Sequence, residues 1–128
     1  MGFESFEDWK EKLIEEGSKG DVVILVEGKK DEEKLKKIGV KNIISLKGKK
    51  FYDILEKVEN YGKVILLFDL DKQGEKIFNK FFRLLQREGI PTDREFRDFL
   101  KRYSIKEIEK IPIKGEPFYN KSEVSDAC

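Results

Sequence analysis

The sequence predicts an α/β fold of three layers, a central and mainly parallel sheet flanked by helices. Three observations lead there. Apolar runs that read as strands at 22–26, 42–46 and 64–68 alternate with amphipathic helical stretches. The first and last, Val22-Val23-Ile24-Leu25-Val26 and Val64-Ile65-Leu66-Leu67-Phe68, are continuously apolar, as strands covered on both faces are. Each then runs straight into acid and glycine: Glu27-Gly28-Lys29-Lys30-Asp31 after one, Asp69-Leu70-Asp71-Lys72-Gln73-Gly74 after the other. Strand and helix alternating in this way call for a parallel sheet with right-handed crossovers.

Each element has its own signal. Ser5 is placed to cap a first helix, with Asp8 three residues on and Phe6, Trp9, Leu13 and Ile14 as its apolar stripe. Gly17 and Gly20 bracket its end. After the strand at 22–26, Asp31 is placed to cap a short helix that Gly39 stops. Asn42-Ile43-Ile44-Ser45-Leu46 makes the second strand, and Lys47-Gly48-Lys49-Lys50 a loop. Phe51, Ile54, Leu55 and Val58 then set a helix at spacing i, i+3, i+4, i+7. The helix over about 73–88 is the most strongly patterned: Ile77, Phe78, Phe81, Phe82, Leu84 and Leu85 face inward, and Lys76, Lys80, Arg83 and Arg87 outward.

Beyond Gly89 the pattern weakens. Asp93 is placed to cap a helix with Phe96, Phe99, Leu100 and Tyr103 on one face, and Ser104 with Glu107 forms a capping box for another short helix through Ile111. Pro112, Gly115 and Pro117 break regularity, Phe118 and Tyr119 dock the tail, and Lys121 to Cys128 reads as disordered. A fourth strand has two candidate places, near Ile90 or near Ile113. The implied division is an N-terminal helix packed on the domain (1–20), the domain with a C-terminal helical extension (21–111), and an irregular tail (112–128).

Composition narrows the chemistry. Charged residues make up 41% of the chain, with 27 Lys+Arg against 26 Asp+Glu, so the net charge of +1 does not by itself name a partner. Distribution says more: Glu4, Glu7, Asp8, Glu11, Glu15 and Glu16 crowd the start, while Lys41, Lys47, Lys49 and Lys50 crowd the stretch between the acidic motifs. Abundant Lys and Glu match a thermophile-like surface. The chain has no His and a single cysteine, Cys128, which excludes Ser-His catalysis, the usual zinc sites and a disulfide framework. No run approaches the ~18 apolar residues of a membrane helix, and the acidic start is unlike a signal peptide. The expected location is the cytoplasm, without a membrane partner.

Both acidic motifs stand where ligands bind in open α/β sheets, outside the carboxyl ends of strands. Alternation along an extended chain sets Asp69 and Asp71 on one side, and Glu27 closes a strand that reaches the same cavity. Converging carboxylates repel and favour a cation. Mg²⁺ suits them, because it takes one or two carboxylates together with phosphate and water; Mn²⁺ is the alternative ion. Gly28 and Gly74 leave room for a substrate backbone, and Gly74 lies where a helix begins. Lys29, Lys30, Lys47, Lys49 and Lys50 lie on loops at the same edge, where Lys29 and the Lys47–Lys50 loop are placed to bind phosphates. The plainer reading makes Glu27 an ordinary strand-end acid and the two aspartates helix caps.

Taken together, Glu-Gly-x-x-Asp and Asp-x-Asp-x-x-Gly after two buried strands resemble the Toprim domain, the Rossmann-like module of topoisomerases, bacterial primases, OLD-family nucleases and 5S ribosomal RNA maturation nucleases. The family signature is a Glu after its first strand and Asp-x-Asp after its third, which Glu27, Asp69 and Asp71 match. Glu27-Gly28-Lys29-Lys30-Asp31 especially resembles the ribosomal-RNA maturases and small stand-alone Toprim proteins. The resemblance implies that Asp69 and Asp71 hold Mg²⁺, and that Glu27 transfers a proton or supports the metal. It departs in having neither the tyrosine-bearing domain of topoisomerases nor the zinc module of primases. Tyr52, Tyr61, Tyr103 and Tyr119 read as amphipathic or surface aromatics.

These features admit three functional readings. The first is a magnesium-dependent enzyme acting on RNA or DNA phosphodiesters, a small nuclease or processing factor. The second is a non-catalytic nucleic-acid-binding or complex-forming module, with a protein partner, that keeps the metal site. A phosphatase of the haloacid-dehalogenase type also uses Asp-x-Asp after a strand, but Lys72-Gln73-Gly74 departs from the Gly-Thr that usually comes next there.

Overall fold

The computed structural model describes residues 2–101 and 105–111. Its elements run α1 (Phe6–Gly17), β1 (Val22–Val26), α2 (Lys29–Ile38), β2 (Ile43–Ser45), α3 (Phe51–Val58), β3 (Lys63–Leu66), α4 (Lys72–Arg87), β4 (Thr92–Asp93) and α5 (Glu95–Leu100), then a 3-10 turn at Ile108–Lys110. The four strands form one sheet in the order β2-β1-β3-β4, and every pairing is parallel. β1 and β3 are therefore central neighbours, with Val23 opposite Val64 and Leu25 opposite Leu66.

Alternation along the central strands feeds two cores. Val22, Ile24, Val26, Ile65 and Leu67 face Trp9 and Leu13 of α1, Leu35 of α2, Phe96 and Leu100 of α5, and Ile108. Val23, Leu25, Val64, Leu66 and Phe68 face Ile54 and Val58 of α3 and Phe78, Phe81 and Leu85 of α4. All five residues of β1 are buried, as a strand sandwiched between helices requires. Each large apolar side chain so placed contributes about 1.5–3 kcal/mol. Trp9 is fully enclosed, and its indole N–H donates to the Phe96 carbonyl at 2.9 Å, tying α1 to α5.

Local signals carry most elements. The Ser5 hydroxyl accepts from the Asp8 N–H at 3.0 Å, and Gly39 ends α2 in the left-handed conformation at φ 114°. Asp31 is not the first cap of α2. Gly28 is the N-cap, and Asp31, inside the first turn, accepts from the Gly28 N–H at 3.0 Å. The Asp93 carboxylate does serve α5, accepting from the Glu95 N–H at 2.7 Å.

The fourth strand lies just after Ile90: Thr92 and Asp93 pair with Val64 and Ile65. The stretch ending at Ile111 is a 3-10 turn and not an α-helix. Expectations for Tyr103, for the Ser104 capping box, for a strand near Ile113 and for the tail fall outside the described residues. No helix among the described residues is long and apolar enough to cross a membrane.

Candidate active site

Because β1 and β3 are parallel neighbours, the segments after them emerge at the same edge of the sheet. Pairing continues past the strand end, where the Leu67 N–H donates to the Leu25 carbonyl at 2.9 Å, and this brings the next residues alongside Glu27. Glu27 Oε2 accepts from the Asp69 backbone N–H at 2.8 Å. Asp69 Oδ1 accepts from the Ile108 N–H at 2.8 Å, so the 3-10 turn closes over the same edge. Asp71 is the N-cap of α4, and its Oδ1 accepts from the Gly74 N–H at 2.7 Å. Gly74 is wedged between the two motifs. A Cβ there would overlap the Asp69 carbonyl oxygen and stand 2.8 Å from Glu27 Oε2.

Glu27 and Asp69 line a cleft of about 410 Å³ together with Asp31 and Glu109, and Gly28, Lys29, Lys30 and Lys47 complete its wall. Asp71 is exposed and lines a neighbouring cleft with Lys72, Glu75, Lys76, Asn79 and Lys101. Asp71 is still extended, at φ −85° and ψ −178°, and α4 begins at the next residue; its charge is felt by both Glu27 and Asp69. Of the lysines in the 47–50 loop, Lys47 lines the acidic cleft. The Lys49 ammonium donates to the Ser45 carbonyl at 3.2 Å, and the Lys50 N–H to Asp53 at 3.3 Å.

The acids perturb one another. Burial pushes the Asp69 carboxyl up to about 7; the Ile108 N–H opposes this, while Asp31, Glu27 and Asp71 reinforce it. Burial also raises Glu27, against the pull of the Asp69 N–H, with Asp71 and Asp31 adding repulsion and Arg97 relieving some of it. Asp31 is raised by burial, opposed by the Gly28 N–H, with Glu109 contributing a repelling carboxylate and a stabilising N–H. Three carboxyls are held above their ordinary range chiefly by burial, with mutual repulsion adding to it.

Sequence reasoning missed Arg97, Asp31 and Glu109 as parts of this site. Arg97 is 0% exposed. Its Nε donates to the Phe68 carbonyl at 2.9 Å, and its Nη2 to the Asp69 carbonyl at 2.7 Å and to Glu75 Oε1 at 2.6 Å. The guanidinium sits 4.5 Å from the centre of the Phe78 ring. It thus fixes the backbone that carries Asp69. Asp31 stood in the Glu-Gly-x-x-Asp pattern and could have been nominated from it, whereas nothing in the local pattern marks Arg97 or Glu109.

Among the described residues, no group of three or more acidic or other ligating side chains is arranged to hold a metal ion by itself. One oxygen each of Glu27, Asp69 and Asp71 accepts a backbone N–H. The donor chemistry still fits a hard cation, since Mg²⁺ needs only one or two carboxylates and completes its shell with water and phosphate.

A parallel sheet covered on both faces, with Glu beyond one central strand and Asp-x-Asp beyond its neighbour, defines an α/β domain with an acidic sheet edge. The Toprim domain family model matches residues 22–103, and the chain belongs to that family. Toprim domains generally bind divalent metal, typically Mg²⁺. A UPF0292 protein of Thermococcus onnurineus is 35% identical over 79% of this chain and 77% of its own. The DNA primase DnaG of Thermofilum pendens is 33% identical over 73% of this chain but only 23% of the primase. A solved structure of an Aquifex aeolicus protein is 42% identical, with a TM-score of 0.80 over 84% of this chain and 99% of that one.

Proposed function

We propose that this chain is a magnesium-dependent Toprim protein acting on nucleic-acid phosphodiesters, as a small nuclease or RNA- or DNA-processing factor. One observation carries the reading: the Glu27–Asp69 hydrogen bond of 2.8 Å joins two acids in a cleft whose wall also includes Lys29, Lys30 and Lys47. Carboxylates for a cation beside ammonium groups for phosphate is the combination that phosphodiester chemistry needs. Membership of the Toprim family and similarity to a DNA primase support it. The Glu27-Gly28-Lys29-Lys30-Asp31 stretch favours kinship with 5S ribosomal RNA maturation nucleases.

In this reading Asp69 and Asp71 hold Mg²⁺, or Mn²⁺ in its place, with Glu27 in support. When bound, the ion supplies charge stabilisation at the phosphoryl oxygens. Glu27 holds or accepts a proton through Oε1, the oxygen that the Asp69 N–H leaves free. Lys29 and Lys47 neutralise the flanking phosphates. Gly28 leaves the substrate backbone room, and Gly74 lets the two motifs meet.

A second reading, a non-catalytic module that binds nucleic acid or a protein partner, is favoured by the position of Asp71, which lines a different cleft from Glu27 and Asp69. Cleavage of a mixed RNA and DNA panel in Mg²⁺ and Mn²⁺, with Glu27→Gln and Asp69→Asn as controls, decides between them. The enzyme reading expects metal-dependent turnover that both substitutions abolish. Binding without cleavage under every condition would leave the module.

A further inference from the structure

The outer face of α4 holds an arrangement of cations that the acidic cleft does not use. Lys72, Lys76, Lys80, Arg83 and Arg87 are all exposed. At ~100° per residue the five fall within an arc of about 80°, opposite the buried stripe of Phe78, Phe81 and Leu85. None of the five forms an ion pair among the described residues, whereas Lys10, Lys12, Lys19, Lys36 and Arg94 each have a carboxylate within 3.3 Å. The one acid in the first turn, Glu75, is engaged by Arg97 at 2.6 Å. Lys72 and Lys76 open into a cleft of about 560 Å³ that Asn79, Lys101 and Asp71 also line. The stripe therefore starts at the Asp69–Asp71 segment and runs about 24 Å along the helix.

We propose that this face of α4 is a track for the phosphodiester backbone of the nucleic acid, leading it to or from the Asp69–Asp71 segment. The proposal rests on the reading of the chain as a protein that acts on nucleic acid, and adds where the substrate lies. Backbone is the ligand that the chemistry selects: the stripe offers point charges at helical spacing and no exposed aromatic ring for stacking on a base. Contacts of this kind position a strand without reading its sequence. A low density of acids on α4 matters here, because an ion-paired lysine would have to give up its partner before meeting a phosphate.

The test is fluorescence-anisotropy titration of a labelled RNA hairpin and a DNA duplex, without divalent metal, at several salt concentrations. Four proteins are compared: the unsubstituted chain, Lys72→Ala/Lys76→Ala/Lys80→Ala, Lys29→Ala/Lys47→Ala, and Lys37→Ala/Lys41→Ala/Lys57→Ala as a control of equal charge change to the first triple. Circular dichroism confirms that each is folded. The α4 variant should bind roughly tenfold or more weakly, and its plot of log affinity against log salt should flatten by about 2–3 units, since each phosphate contact contributes about 0.9 on duplex. The control triple should keep most of the affinity and slope. Unchanged binding by the α4 variant, or equal weakening in the control, would overturn the track while leaving the proposed function standing. If the unsubstituted chain binds neither nucleic acid at any salt, the proposed function itself fails and the track with it.

Discussion

Glu27 and Asp69 lie 42 positions apart in the chain and meet through a hydrogen bond of 2.8 Å, from the Asp69 backbone N–H to the Glu27 carboxylate. The bond holds one motif's acid against the other motif's main chain, so both Toprim motifs present their charge to one edge. It also lets Glu27 stabilise the fold while it carries a charge that its acidic neighbours oppose.

Burial, reinforced by that opposition, gives a pH dependence. It pushes the Asp69 carboxyl up to about 7 in the folded protein, from an ordinary value of 3.8. Between those values the native state holds a proton that the unfolded chain has released, so stability falls as pH rises through the window. Glu16 works the other way. Lys19 and Lys63 hold it below its ordinary 4.5, and its contribution is lost only in stronger acid. Thermal melts in chelator should therefore show a higher Tm at pH 5 than at pH 7.5, by roughly 2–5 °C. Asp69→Asn should flatten the difference, and an unchanged pH profile in that variant would rule out Asp69 as its source.

Metal should reverse the same penalty. Mg²⁺ or Mn²⁺ should bind weakly without phosphate and raise the Tm at pH 7.5. The double variant Asp69→Asn/Asp71→Asn should lose most of that affinity in calorimetry. Asn keeps the cap on α4, since it is as good an N-cap as Asp, so the fold survives the test. Equal affinity in the double variant and the unsubstituted chain would exclude these residues as ligands.

Gly74→Ala separates two effects of opposite sign. In a helix interior the change from Gly to Ala ordinarily stabilises by about 1 kcal/mol. Here the added Cβ would overlap the Asp69 carbonyl oxygen and approach Glu27 Oε2 to 2.8 Å. Overpacking against main chain costs about 1–3 kcal/mol or more, so the net outcome should be destabilisation. A urea melt with a higher midpoint than the unsubstituted protein would contradict this packing.

Arg97→Met should destabilise by about 2–4 kcal/mol, because the carbonyls of Phe68 and Asp69 lose their donors in a buried place. Glu75→Gln, by contrast, should cost less than about 1 kcal/mol, because the Gln amide oxygen can still accept from Arg97 Nη2 and the Glu75 side chain is 44% exposed. Denaturant titrations of the two variants check the ranking, and a larger loss in Glu75→Gln would mean that the ion pair, not the carbonyl clamp, dominates.

Much of the architecture was legible locally. Continuous apolar runs identified the central strands, and the Phe78, Phe81 and Leu85 spacing identified α4, because burial on one or both faces writes a period into the chain. The short edge strand β4 left no such trace. Two residues, Thr92 and Asp93, are too few for alternation, and their pairing with Val64 and Ile65 depends on where α4 delivers them. The short helix expected through Ile111 is a 3-10 turn for a similar reason, since three residues cannot show a 3.6-residue period.

By itself, the sequence determined the α/β class, the Toprim motifs and the placement of Glu27 and Asp69 at strand ends, since each depends on residues adjacent in the chain. Tertiary structure alone decided what surrounds them. Arg97 reaches the Asp69 carbonyl across 28 positions and Ile108 reaches the Asp69 carboxylate across 39. Asp71 caps α4 and lines the neighbouring cleft while its charge still bears on Asp69. Contacts between distant segments arise from the folding of the whole sheet and its helices, and the desolvation that lifts Asp69 to about 7 exists only once those segments have closed over it.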